Sequence, residues 1–152
     1  MAQLSFTLEI AAPPDRVAAF FAPQRMVYWY GRDIGAEFEL LGGAADFAVG
    51  QKVRITGKMG RREISMTAVV TRFHPGQALE WQFKDAHGVR GAQAWDLEPA
   101  ADGGTHVQMR DVYTFPGGLG AFFDKIFMRH AVARRDRLWL GYLKRLAERS
   151  SK

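Results

Sequence analysis

The sequence predicts an α+β fold: a curved seven-stranded antiparallel sheet around a long C-terminal helix, with two short helices after the first strand. Three observations predict it. Seven segments alternate apolar and polar residues with the period of two that marks half-buried strands. Six of them follow one another over residues 35–115, with connections too short for parallel crossovers, so neighbours run antiparallel. Residues 118–149 then hold no proline and repeat apolar residues at helical spacing.

The 152 residues are expected to form a single domain: a first strand over 1–10, short helices over 13–30, the meander over 35–115 and the C-terminal helix over 118–149. Leu4, Phe6, Leu8 and Ile10 alternate with polar neighbours and read as the first strand. Pro13-Pro14-Asp15 interrupts it and suits a helix start. A second short segment runs to Tyr28-Trp29-Tyr30 and stops at Gly31. Phe38 and Leu40 mark the next strand, then Val53, Ile55 and Met59, then Ile64, Met66, Ala68 and Val70. Leu79, Trp81 and Phe83 follow the His74-Pro75-Gly76 turn. The last two strands read as a hairpin around Pro99-Ala100-Ala101-Asp102-Gly103-Gly104. In the final helix, Phe123, Phe127, His130, Ala131, Arg134, Leu138, Tyr142 and Leu146 form the stripe expected to face the sheet, with Trp139 outward.

One sheet has one apolar face, and that helix is the only element long enough to cover it. A curved sheet meets a straight helix along a line. Room is therefore expected between them, and a ligand site in that room.

The run AWDLEPAADGGTHVQMR resembles the W-x-L-x-P…G-T-x-V hairpin of the START-like, or SRPBCC, superfamily of polyketide cyclase/dehydrase-like proteins. FHPGQALEWQF is similar to the preceding strand pair, FPGGLGAFFDKIF to the entry of the final helix, and LSFTLEIAAPPDRVAAFF to the first strand and helix. The resemblance implies a helix-grip fold with a deep pocket for a hydrophobic ligand, no metal and no nucleotide.

The hairpin puts Gln93, Trp95, Leu97, Val107, Met109, Asp111 and Tyr113 on one face. A carboxylate among apolar side chains is costly unless something uses it. Asp111 is thus either a polar contact for a ligand, able to act as acid or base, or a residue turned outward by a bulge. Trp81, Phe83, Trp95, Met109, Phe123 and Phe127 are expected along the inner wall, as core or as ligand contacts. Tyr28, Trp29 and Tyr30 read either as a lid over the cavity or as packing against the sheet edge. His130 reads as a core histidine or as a proton-transfer partner of Asp111.

The expected function is binding of a small hydrophobic or amphipathic molecule, such as a lipid, quinone or polyketide-like compound, between sheet and helix. The alternative is a cofactor-independent cyclase or dehydratase in which Asp111 and His130 exchange protons while Tyr113 and Gln93 place the substrate. Further alternatives are a membrane-docking lipid carrier and a chaperone-type interaction module. The outward charges Glu37, Glu39, Lys52, Arg54, Glu63, Glu80 and Lys84 disfavour the module.

Composition narrows the chemistry. Cysteine is absent, which excludes disulfides and thiolate nucleophiles. The four histidines lack metal-ligand spacing, no serine sits in a nucleophile elbow, and there is no phosphate loop, so no metal or cofactor is expected. The start has no basic leader before an apolar run, and no apolar run reaches a membrane span, so a cytoplasmic protein is expected. Net charge is +5, yet residues 125–152 alone carry +7. That basic helix is a solvated face or a weak contact for anionic membrane. Nucleic acid is not expected as a partner, because exposed aromatics do not interleave with Lys and Arg on the strands. The oligomeric state is not encoded legibly.

Overall fold

The computed structural model describes the backbone of residues 2–117 and 119–149, and the side chains of residues 2–117 and 127–149. The strands are β1 (Ala2–Ile10), β2 (Glu37–Leu40), β3 (Lys52–Met59), β4 (Arg62–His74), β5 (Ala78–Asp85), β6 (Arg90–Pro99) and β7 (Thr105–Thr114). The helices are α1 (Pro14–Ala18), α2 (Pro23–Met26) and α3 (Leu119–Arg149), with 3-10 turns at Ala19–Phe21 and Arg32–Ile34. The strand order is β1-β7-β6-β5-β4-β3-β2, antiparallel at every step. This is the helix-grip arrangement.

The hairpin holds the register that its alternation demands. Gln93 lies opposite Asp111, Trp95 opposite Met109 and Leu97 opposite Val107. No bulge interrupts β6 and β7, and Gln93, Trp95, Leu97, Val107, Met109, Asp111 and Tyr113 are all buried. The bulge falls in β4 instead, between Val70 and Arg72. One extra residue there lets Val70 and Phe73, three apart, both turn to the core.

α3 lies along β1, an edge strand with a single strand neighbour. Arg129 donates to the Gln3 carbonyl at 3.3 Å and Lys144 to the Glu9 carbonyl at 2.6 Å. The Glu148 carboxylate accepts from the Ala11 amide at 2.9 Å. Arg137 lies over the Phe6 ring at 5.3 Å. These contacts run the described length of the helix and tie it to one side of the sheet.

Over residues 127–138 the helix turns a different face inward from the one expected, while Tyr142 and Leu146 of the expected stripe, with Leu140 beside them, pack against the core. Val132, Asp136, Trp139, Leu143 and Ala147 are buried, at the four- and three-residue steps of one helical stripe. Phe127, His130, Ala131, Arg134 and Leu138 are exposed. Trp139, expected outside, is 4% exposed. The expected stripe and the real one are neighbouring faces of the same helix.

Two glycines test the packing. A Cβ on Gly91 of β6 would stand 1.8 Å from the Val112 carbonyl oxygen of β7, whereas one on Gly141 of α3 would meet nothing within 4 Å. Gly91→Ala is therefore expected to cost at least about 2 kcal/mol by strain on the hairpin. Gly141→Ala is expected to add about 0.5–1 kcal/mol by helix propensity. Urea denaturation midpoints measure both, and effects of equal sign would contradict the packing.

Candidate functional site

The middle of the interior is filled by rings. Trp81 and Trp95 come from adjacent strands with centroids 5.2 Å apart. Trp29 and Tyr30 enter from the segment after α2, and Tyr30 packs on Trp81 at 5.5 Å and on Trp139 of α3 at 4.5 Å. Gly31 makes this entry possible: its φ is 72°, and a Cβ there would lie 2.5 Å from the Ala36 Cβ. Trp29 and Tyr30, 1% and 3% exposed, are thus wedges rather than a lid. Trp29 Nε1 donates to the Phe20 carbonyl at 2.7 Å.

A polar chain runs behind this plug. Tyr30 Oη donates to Gln93 Oε1 at 2.7 Å, and Trp81 Nε1 donates to the same oxygen at 3.0 Å. An indole N–H only donates, so the amide orientation is forced, and Gln93 Nε2 points at Asp111 Oδ2, 3.4 Å away. Arg135 of α3 closes the chain. Its Nη2 donates to Asp111 Oδ2 and to Asp136 Oδ1, both at 3.3 Å. Its guanidinium lies 4.8 Å over the Trp139 ring.

Two carboxylates at 0% exposure therefore share one guanidinium. Each buried ion costs several kcal/mol, and one cation cannot offset two anions. Burial, opposed by Arg135 and reinforced by Asp111, pushes the Asp136 carboxyl up to about 9. Asp111 Oδ1 and Asp136 Oδ2 have no other partner among the described residues. Burial, with Asp111 adding to it, also raises the Tyr30 and Tyr113 phenols above their usual range. The Tyr113 hydroxyl is buried without a hydrogen-bond partner among the described residues.

Beside the plug lies a cavity of about 340 Å³, within the range of small-molecule sites. Ile55, Met59, Ile64 and Met66 of β3 and β4 form one wall. Met128, Ala131 and Leu138 of α3 face them. Tyr30, Trp139 and Arg135 also line the cavity. The apolar stripe that is not buried thus overlooks this groove. A second cavity of about 320 Å³ lies among Phe21, Phe47, Phe73, Trp95 and Leu97, near α1 and α2.

The expected site residues are distributed unevenly over these features. Trp29, Tyr30, Trp81, Gln93, Trp95, Met109 and Asp111 meet in the interior, and Tyr30 reaches the groove. Phe83 is half-buried near Tyr113 in a small cluster with Ala2 and Val132. Tyr28 is 54% exposed and lines neither cavity. Phe127, 74% exposed, is not on the inner wall. His130 is exposed, and Asp111 meets Arg135 and Asp136 instead. Both corrections follow from the rotation of α3. The Phe123 side chain lies outside the described residues. Sequence reasoning missed Arg135 and Asp136 as interior groups. The available signal was Trp139, the largest apolar side chain of the helix: a stripe drawn through it takes in Val132, Asp136, Leu143 and Ala147.

Over residues 1–148 the sequence matches the family described as "Polyketide cyclase / dehydrase and lipid transport". The chain belongs to that family. No curated protein matches it. Among solved structures, a conserved protein from Geobacillus kaustophilus superimposes with a TM-score of 0.76 at 14% identity, over 98% of this chain and 97% of its own. The protein TTHA0849 from Thermus thermophilus gives 0.73 at 15% identity, over 99% and 100%. DynU16, a protein in the dynemicin biosynthetic locus, gives 0.64 at 18% identity, over 96% of this chain and 47% of that one. At these identities the likeness is one of fold. Among the described residues, this family member has no helix long and apolar enough to cross a membrane.

The proton on Asp136 has a consequence for stability. Its folded value, about 9, lies above the ordinary 3.8. Between those values the folded chain keeps a proton that the unfolded chain lacks, so stability falls as pH rises. The melting temperature of the wild type is expected to drop from pH 6 to pH 9 relative to Asp136→Asn, which keeps shape and neutrality. Calorimetric melting curves that shift in parallel for the two proteins would contradict the assignment.

Proposed function

We propose that this protein binds a small hydrophobic or amphipathic molecule, of lipid, quinone or polyketide-like kind, in the groove between α3 and strands β3 and β4. One observation carries the reading. An apolar stripe of the helix and an apolar patch of the sheet face one another across about 340 Å³ with no described side chain filling it. Apolar surfaces held apart in this way lose both burial and dispersion energy, and an apolar guest restores them. Met59, Met66 and Met128 suit such a guest, because unbranched thioethers repack around different shapes. Membership in a family whose description pairs polyketide chemistry with lipid transport supports the same class of ligand.

The site favours holding over turnover. Asp111, the acid a cyclase reading relies on, is fully enclosed, and its Oδ2 accepts from Gln93 and Arg135. It lines neither cavity. A general acid must come within hydrogen-bond reach of its substrate. Among the groups that line the groove, the Tyr30 hydroxyl and the Trp139 indole already donate to Gln93 and Asp33.

The fluorescent neutral amine N-phenyl-1-naphthylamine tests the reading. The wild type is expected to bind it with micromolar affinity, about −8 kcal/mol. Ala131→Trp, an exposed helix position on the groove wall, fills the space and is expected to weaken binding at least about tenfold, with the melting temperature little changed. Unaltered affinity in that variant, or no binding by the wild type, would overturn the proposal.

A further inference from the structure

The groove is lined mainly by apolar side chains, with a few polar groups among them. Arg135 lines it with a side chain 38% exposed, and it is the group that the sheet's polar chain holds in place. Only Nη2 is engaged, by Asp111 and Asp136. Neither Nε nor Nη1 has a hydrogen-bond partner among the described residues, and Nε is buried. The guanidinium carbon lies 4.8 Å from the centre of the Trp139 ring. Arg134, a second cation, also lines the groove. The single acid among the described residues of its wall, Asp33, already accepts the Trp139 indole N–H at 2.7 Å.

From this arrangement, and resting on the groove being the ligand site, we propose that the ligand carries a carboxylate or similarly acidic oxygen that Arg135 receives. The chemistry is that of a planar donor fork with unused N–H groups at the floor of an otherwise greasy space. Charge-assisted bonds to such a fork are roughly twice as strong as neutral ones. A neutral ligand would leave Nη1, which has no protein partner among the described residues, unpaired after the groove is dried, which is costly. A proton on Asp136 keeps the groups behind Arg135 from presenting a second negative charge to the ligand. A volume of about 340 Å³ suits a medium-chain or small aromatic acid.

Displacement of bound N-phenyl-1-naphthylamine by decanoate, 1-decanol and methyl decanoate at pH 7.5 tests this. Decanoate is expected to displace the probe at least about tenfold more tightly than either neutral compound. Arg135→Lys keeps the charge that Asp111 and Asp136 need but removes the fork. It is expected to erase the preference. Arg137→Gln, which removes a charge from the same helix away from the groove, is expected to keep the preference. Equal displacement by all three compounds would overturn the acidic-ligand proposal and leave the groove reading intact. A preference that survives in Arg135→Lys, or vanishes in Arg137→Gln, overturns it as well, by assigning the effect to general positive charge. Displacement by none of the three would overturn both readings.

Discussion

The rest of the structure depends on the contact of Arg135 with Asp111 and Asp136. It joins the middle of α3 to β7 in the interior, where a misplaced charge costs several kcal/mol. A helix that could otherwise roll to bury any of several apolar faces is thereby given one rotation. Removing Arg135 or Asp111 would strand a buried charge, so the pairing is strict in geometry even where its net contribution to stability is small. A carboxyl at Asp136 pushed up to about 9 fits that strictness, because a neutral acid beside Asp111 leaves one anion to one cation.

Rotation decides what the helix leaves uncovered. Val132, Trp139, Leu143 and Ala147 pack inward, and Met128, Ala131 and Leu138 are left facing β3 and β4 across a gap. The gap persists because α3 is tied along β1, on the other side of the sheet, by Arg129, Lys144 and Glu148. The aromatic wedge of Trp29 and Tyr30 fills the centre. The open volume is thus displaced to one flank, and the polar chain from Trp81 through Gln93 and Asp111 ends at the guanidinium on its floor. Packing, charge and cavity are consequences of one another here.

The sheet was legible in the sequence because a strand has only two faces. Once Trp95, Leu97, Val107 and Met109 are inside, Gln93, Asp111 and Tyr113 must follow by parity, and they do. The helix was less legible because it has many faces and this one carries apolar residues on two of them. Phe127, Ala131 and Leu138 make a credible stripe, and nothing in spacing alone says that it overlooks a void. Asp136 sits in the run Arg134-Arg135-Asp136-Arg137 and reads as surface charge, yet it is fully buried. The wedge role of Trp29 and Tyr30 depends on the left-handed turn at Gly31, whose direction no periodicity encodes.

On the proposed reading the ligand lies between the open stripe of α3 and the β3–β4 patch. Methyl NMR during a titration with N-phenyl-1-naphthylamine tests it most directly. The account predicts the largest shifts at the methyls of Ile55, Ile64, Met66 and Met128, with those of Leu79 and Leu97, beside the second cavity, unmoved. Shifts gathered at Leu79 and Leu97, with Ile55 and Met66 silent, would contradict it.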